Sequence, residues 1–176
     1  MKKAIFTIIV VAFIVAAVSL AFETSSFADN HTDVKGVAEE INERGNFGRI
    51  VIEELDINVA VFFSDDADEF QAISDAEDSA CMFDWADGNR VITDHNYQGF
   101  GAMVGGEASA MQIVTGSEVQ EYRCIERIQD GRNDGGFLTY KNGKAIGDKG
   151  ENTIVIYTCK NDGIDGKVVI TVWEKC

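Results

Sequence analysis

The chain has 176 residues, of which 45% are hydrophobic and 26% charged, and it contains no proline. Its 15 basic and 30 acidic side chains give a formal net charge of -15 at pH 7. This composition is that of a globular protein and excludes collagen-like, proline-rich and disordered acidic chains. The negative charge argues against a nucleic-acid partner, because affinity for the phosphate backbone comes from Lys and Arg. The length indicates a single domain.

The first 28 residues have the organisation of an export signal. Lys2 and Lys3 precede a nearly continuous apolar run over residues 4–22, and Ala28 ends a Ser-Phe-Ala sequence with small residues where a signal peptidase reads them. The favoured interpretation is cleavage after Ala28. The alternative is an uncleaved anchor, since roughly 18 apolar residues can span a bilayer. In both cases the rest of the chain is extracytoplasmic, secreted or anchored to the cell membrane, and this segment is its only expected link to a membrane.

Export changes the interpretation of the four cysteines. In an oxidising compartment Cys81, Cys124, Cys159 and Cys176 could form two disulfides, and the sequence leaves all three pairings open. Their spacing contains no CxxC pair and no nearby pair of histidines, so a zinc site is not expected.

The chain after the leader begins with helical and extended patterns. Within an N-terminal segment at 29–47, residues 33–44 repeat apolar side chains at helical spacing and predict a short helix. Runs of β-branched and aromatic residues predict strands at 49–52 and 57–63. An acidic beginning and one apolar side predict a helix over 64–79.

Beyond Cys81 the pattern is that of β-structure interrupted by glycines. The predicted strands lie at 90–93, 110–114, 118–128, 137–140, 153–159 and 167–173. Residues 130–136 form the most loop-like internal stretch. Many short strands with few helices favour a closed or nearly closed β-barrel over 48–176, because closure removes exposed strand edges.

Two residues combine the chemistry of a nucleophile with that of an acid or base. His95 follows the predicted strand 90–93, whereas the other histidine, His31, lies just past the leader; Cys159 ends the predicted strand 153–159. Catalytic groups often lie on a rigid scaffold in this way. The pair indicates a thiol nucleophile with a histidine partner. The competing interpretation is a disulfide-bonded cysteine and a surface histidine. Residues 97–100 are expected to form a turn without a catalytic role.

These residues resemble the signature of sortases, which are cysteine transpeptidases of mainly Gram-positive bacteria. The sequence Thr-Asp-His-Asn at 93–96 follows a β-run, and Ile-Tyr-Thr-Cys at 156–159 ends an apolar strand that a loop and a final strand follow. The order of the elements is similar from residue 48 to residue 173. The resemblance implies a mainly β fold, a closed eight-stranded sortase-like barrel with one or two short helices.

The resemblance also implies a reaction and its partners. Cys159 as a thiolate would attack a backbone carbonyl in a surface-protein sorting signal, typically of Leu-Pro-x-Thr-Gly type, and form a thioacyl intermediate. His95 as an imidazolium would protonate the departing amine, and a second amine, or water, would accept the acyl group. No cofactor is implied. Calcium at the acidic segments 130–134 and 161–166 is a weakly supported alternative, because solvated turns explain their composition better.

Lys167 departs from the sortase pattern. Sortases use an arginine at the start of the strand after the cysteine to hold the substrate and stabilise the oxyanion, and Lys167 occupies that position. Lysine keeps the charge but lacks the planar fork that donates two parallel hydrogen bonds. Loss of one oxyanion donor costs about 2.7–4 kcal/mol of transition-state stabilisation.

A second hypothesis therefore stands beside the enzyme. The chain could be a non-catalytic exported binding or structural domain that keeps the sortase-like barrel, with Cys159 in a disulfide, for example with Cys124. The unusual Lys167 and the three additional cysteines favour this hypothesis, whereas the occurrence of His95 and Cys159 at matching strand ends favours the transpeptidase. Nothing in the sequence indicates an oligomeric state.

Overall fold

The computed structural model describes residues 47–85, 88–116, 118–134, 137–161 and 165–176. The leader, the predicted helix 33–44 and His31 lie outside these residues. The strands are β1 (Gly48–Ile52), β2 (Ile57–Phe63), β3 (Ser79–Asp84), β4 (Arg90–Thr93), β5 (Ala110–Thr115), β6 (Glu118–Asn133), β7 (Leu138–Thr139), β8 (Thr153–Cys159) and β9 (Lys167–Lys175). The α-helices are α1 (Ala67–Asp75) and α2 (Ala102–Gly105), with short 3-10 helices at Glu53–Leu55 and Gly99–Gly101.

Eight of these strands close into a barrel. Their order around the ring is β5-β1-β2-β3-β4-β8-β9-β6, and pairing of β6 with β5 completes it. The pairs β2–β3 and β4–β8 are parallel, and the other six pairs of the ring are antiparallel. The two-residue β7 adds to β6 outside the ring. The predicted eight-stranded barrel with short helices is therefore confirmed.

Alternate residues of the strands fill the barrel interior. Side chains in a strand point to opposite faces in turn, so every second apolar residue faces inward. The interior residues include Ile50, Ile52, Val59, Val61, Met82, Ile92, Met111, Ile113, Ile156 and Trp173, none more than 2% exposed. Burial of each such side chain contributes roughly 1.5–3 kcal/mol. The result is a rigid frame for the residues at the strand ends.

Part of the outer face is also covered. Helix α1 packs Ile73 against Phe62 and Cys81 on β2 and β3. Segment 137–150, here called the covering segment, packs Leu138 and Ile146 against the outer side chains of β8 and β9. In the ring order β2-β3-β4-β8-β9, the parallel pair β4–β8 therefore lies between the two coverings.

The covering segment is fastened at two points. Glu126 on β6 accepts hydrogen bonds from Tyr140 Oη at 2.7 Å and from Lys149 Nζ at 2.8 Å. The hydrogen bond and charge of Lys149 hold the pKa of Glu126 below its usual value. Just before β4, Asn89 donates to Gly147 O at 2.8 Å and accepts from the Lys149 N–H at 2.9 Å. Residues from β6 and from the approach to β4 therefore hold this segment against the barrel.

Helix α1 is shorter than predicted. It begins after Asp66, whose Oδ1 accepts a hydrogen bond from the Glu69 N–H at 3.1 Å, while Ser64 Oγ donates to Glu69 Oε2 at 2.6 Å. These hydrogen bonds satisfy polar groups of the first helical turn and set the start of the helix. The prediction that the helix continues to residue 79 is wrong, because Ser79 begins β3 and Ala80 enters the barrel interior.

The interpretation of residues 130–136 as a loop is wrong for its first part. Residues 130–133 continue β6, and Gly131 and Arg132 pair with Val168 and Lys167 on β9. Register shifts interrupt this pairing between Ile128 and Gly131. A β-bulge of this kind removes the regular alternation by which a strand is recognised in sequence.

No helix in the described part of the chain is long and apolar enough to cross a membrane. The apolar run 4–22 is not among the residues described.

Gly99 lies where the turn after β4 meets the barrel wall. A Cβ added there would be 2.2 Å from Val59 Cγ1 and 3.2 Å from Asp94 Oδ2. We expect Gly99→Ala to lower the free energy of unfolding by about 1–3 kcal/mol, the usual cost of overpacking. Urea denaturation measures the effect. Gly105→Ala is the matched control, because nothing lies within 4 Å of its added Cβ; equal losses in the two variants would contradict the prediction.

Candidate active site

Strands β4 and β8 end side by side and carry the two predicted catalytic residues. They are parallel neighbours, paired from Arg90 with Ile154 to Thr93 with Tyr157. Cys159 is the last residue of β8, and His95 follows the end of β4 by two residues. Neighbouring strands are about 4.8 Å apart. The structure therefore brings a histidine and a cysteine, far apart in sequence, to the same edge of the barrel.

Two threonine hydroxyls hold these strand ends together. Thr93 Oγ1 donates to Tyr157 O at 3.0 Å, and Thr158 Oγ1 donates to Asp94 O at 2.8 Å. Both threonines are buried, and losing a buried hydrogen-bond partner costs about 1–3 kcal/mol. The residue before Cys159 is thus bonded to the residue before His95, which restricts the movement of one relative to the other.

The buried Asp94 carboxylate organises the turn that follows β4. Its Oδ1 accepts a hydrogen bond from the His95 N–H at 2.7 Å, and its Oδ2 accepts a longer one from the Phe100 N–H at 3.4 Å. Burial raises the pKa of Asp94 to about 6, although these N–H donors and the charge of His95 act in the opposite direction. Asp94 therefore anchors the backbone of His95 from inside the barrel.

The His95 imidazole is partly exposed and contacts two side chains. Nε2 is 2.9 Å from Oδ1 of Asp75, the last residue of α1. The Tyr97 ring stacks on the imidazole with centroids 4.7 Å apart and planes 12° apart. Sequence reasoning did not single out Asp75, because a carboxylate at the end of an acidic helix has no local signal of its own. Its contact with His95 arises only from the packing of α1.

The four cysteines lie among the described residues and none forms a disulfide. Cys124 is beside Trp173 and Cys159 is beside Val168 on the intervening strand β9. These two β9 positions are five residues apart, or about 17 Å along the strand. A disulfide needs Cα atoms closer than about 7 Å. The bridge between Cys124 and Cys159 considered from the sequence is therefore incompatible with this register.

Cys81 is also remote from Cys159. It pairs with Thr93, which pairs in turn with Tyr157, so a whole strand separates the two thiols and their strands are about 10 Å apart. Burial, with smaller contributions from the charges of Glu69 and Asp65, raises the pKa of the Cys81 thiol to about 12. A protonated, buried thiol is a poor nucleophile. Cys81 is therefore a packing residue under α1.

Lys167 is the first residue of β9, and its side chain forms an ion pair with Asp165. Cys159 pairs with Val168, so strand alternation puts the neighbouring Lys167 side chain on the opposite face. Lys167 Nζ lies 2.6 Å from Asp165 Oδ2 in a partly exposed ion pair. The structure thus places His95 and Cys159 at neighbouring strand ends, while Lys167 pairs with Asp165 of the loop before β9.

Asp130 belongs to the first of the two acidic segments, 130–134 and 161–166, for which calcium was the weakly supported alternative. Asp130 pairs with Lys160 Nζ at 3.1 Å and with Lys141 Nζ at 3.8 Å, and these cations, Lys160 foremost, lower the pKa of Asp130. Across the described ranges no group of three His, Cys, Asp or Glu side chains could hold a metal ion.

The barrel is similar to several solved structures. Sortase C of Streptococcus pneumoniae matches with a TM-score of 0.53 and 12% identity, over 85% of this chain and 88% of its own. The chain has the sortase fold. Sortase C-1 of Actinomyces oris matches with a TM-score of 0.53 and 10% identity, over 74% of this chain and 73% of its own. Sortase A of Listeria monocytogenes matches with a TM-score of 0.52 and 16% identity, over 74% of this chain and 87% of its own. No protein-family model and no curated protein matches the sequence.

Asp94→Asn tests the buried anchor of this sortase fold. Because the pKa of Asp94 rises from 3.8 to about 6 on folding, the folded state binds the proton more tightly. The Asp94 contribution to stability therefore falls by about 3 kcal/mol as the pH rises from below 3.8 to above 6. Asparagine does not titrate, so the stability of the variant relative to the native chain should improve by up to that amount between pH 3.5 and 7.5. Urea denaturation at several pH values measures the difference; a difference independent of pH would contradict the assignment.

Proposed function

We propose that this chain is a sortase-like cysteine transpeptidase, which cleaves a sorting signal through a thioacyl intermediate and transfers it to an amine at the cell surface. The observation that carries the proposal is the parallel pairing of β4 with β8, because Cys159 ends β8 and His95 follows the end of β4 by two residues. The fold supports the proposal. Among the similar structures, sortase C of Streptococcus pneumoniae is described in terms of catalysis and pilin substrate specificity.

In the first half of the proposed reaction, the Cys159 thiolate attacks the carbonyl carbon of the scissile peptide bond. The carbon–nitrogen bond breaks, and the acyl group remains on Sγ as a thioester. His95, as an imidazolium, gives its proton to the departing amine, since an amide anion is too basic to leave unprotonated. The rigid connection between the two strand ends favours this division of roles, because the nucleophile and the acid stay in register.

In the second half, an incoming amine attacks the thioester carbon. The carbon–sulfur bond breaks, Cys159 leaves as a thiolate, and the proton of the amine passes to His95. Water in place of the amine gives hydrolysis instead. The thioester conserves the free energy of the original peptide bond, so that transfer needs no nucleotide. This suits a chain whose predicted leader, residues 1–28, would export it or anchor it at the membrane.

The central experiment measures the reactivity of Cys159 in the full chain. Iodoacetamide labelling mapped by mass spectrometry should modify Cys159 rapidly at neutral pH, and His95→Ala should alter the pH profile of the labelling rate.

A second experiment measures acyl transfer. With Leu-Pro-x-Thr-Gly-type peptides and an amine acceptor, Cys159→Ala should abolish acyl transfer without a change in melting temperature. Cys176→Ala, at an exposed cysteine, is the matched control and should keep full activity. Slow labelling of Cys159 together with no transfer would reject the proposal.

Lys167 is the remaining residue of the proposed site. In the proposal its ammonium supports the oxyanion. This requires the ion pair with Asp165 to open and the Lys167 side chain to reach around the start of β9 when substrate binds. Lys167→Ala should then lower kcat/KM by about 10²–10³, the cost of losing one oxyanion donor, while Asp165→Asn should leave it equal or higher. Steady-state kinetics of both variants measures this. If the two variants change kcat/KM alike, Lys167 serves only the loop before β9.

The second candidate function is a non-catalytic binding or structural domain of the same fold. The engagement of Lys167 with Asp165 favours it, because no role for that cation in the transition state follows from its present partner. The labelling experiment separates the two functions. A binding domain has no need of an activated thiol, so Cys159 would label at the rate of an ordinary exposed cysteine such as Cys176.

A further inference from the structure

His95 is held by a carboxylate that belongs to neither of the two catalytic strands. Asp75 closes α1, and its Oδ1 lies 2.9 Å from His95 Nε2. Both side chains are partly exposed, at 37% for Asp75 and 27% for His95. The contact links the helix that covers β2 and β3 to the turn that follows β4.

Asp75 is itself held in place by further contacts. Gln71, one helical turn earlier, donates from Nε2 to Asp75 Oδ1 at 2.9 Å, and Gln98 Nε2 lies 3.4 Å from Asp75 O. The end of α1 is fixed to β3 by Ser79 Oγ, which donates to Ile73 O at 2.6 Å. The carboxylate therefore belongs to a supported helix end rather than to a freely moving surface side chain.

The imidazole of His95 has a carboxylate at one edge of its ring and an aromatic ring on one face. The ring edge at Nε2 meets Asp75, and one ring face is covered by Tyr97, 66% exposed, in a stacked arrangement. Asp94 contacts the backbone of His95 rather than its ring, since its Oδ1 accepts a hydrogen bond from the His95 N–H at 2.7 Å. A carboxylate that accepts a hydrogen bond from one imidazole nitrogen sets the tautomer and leaves the second nitrogen for proton transfer.

We propose that Asp75 is a positioning residue that holds His95 through Nε2, so that Nδ1 is the nitrogen that exchanges protons with the departing and incoming amines. This inference rests on the proposed function. Tyr97 completes the arrangement by restricting rotation of the ring. Asp75 touches neither substrate nor Cys159 in this role and acts only through His95.

The test compares Asp75→Asn with Glu77→Gln in the full chain in detergent micelles. Glu77 is exposed and two residues further along, so its variant makes the same change of charge without the contact to His95. Long-range ¹H–¹⁵N spectra of the imidazole should show one dominant neutral tautomer, protonated at Nε2, in the native chain and in Glu77→Gln. Asp75→Asn should yield a mixture of tautomers. It should also slow iodoacetamide labelling of Cys159 about two- to fivefold, as expected for a partly exposed ion pair.

The outcomes separate this inference from the proposed function. If Cys159 labels rapidly in the native chain and depends on His95, but Asp75→Asn behaves like Glu77→Gln in spectrum and rate, the role of Asp75 is rejected and the cysteine chemistry stands. If Cys159 is unreactive in the native chain, the proposed function fails first, and the role of Asp75 in catalysis fails with it. Melting temperatures identify a folding defect, and Asp75→Glu, which keeps the carboxylate, should then restore the single tautomer.

Discussion

The parallel pairing of β4 with β8 is the constraint on which the candidate site depends. The barrel closes on both sides of this pair, through β3 and through β9, so neither strand can slide without disturbing the packed interior. The hydroxyls of Thr93 and Thr158 then join the strand ends directly. Cys159, the proposed nucleophile, and the start of the turn that carries His95 are thereby held by paired strands, which is the kind of rigid support that catalytic geometry requires.

The surroundings of the pair are built by elements from elsewhere in the chain. Helix α1 covers the barrel on one side and reaches His95 through Asp75, while the covering segment closes the other side and is held by Glu126 and Asn89. Both coverings leave the β4–β8 ends between them. Asp94 lies beneath the turn, and its carboxylate accepts a hydrogen bond from the His95 N–H. It therefore positions the backbone of His95 rather than the imidazole.

Much of the fold could be predicted because the strands carry strong local patterns. The apolar runs 57–63 and 153–159 match β2 and β8. His95 and Cys159 were proposed as site residues because one follows a predicted strand and the other ends one. Strand β3 was missed because the helix predicted over 64–79 runs up to it without a Gly or Pro that would mark the boundary at Ser79. Asp75 and the orientation of Lys167 depend on tertiary packing and on strand register, and neither quantity is encoded within a local window of sequence.

The distance between the two halves of the site along the chain has a consequence for folding. The hydrogen bond from Thr158 to Asp94 spans 64 residues, so the contacts that join His95 to Cys159 are of high contact order. Such contacts form slowly and late, because the loop between them must close first. An unfolded chain therefore carries Cys159 as an ordinary thiol with no histidine beside it. The reactivity proposed for the cysteine would arise only when the barrel closes, so an incompletely folded chain would not attack peptide bonds in its surroundings.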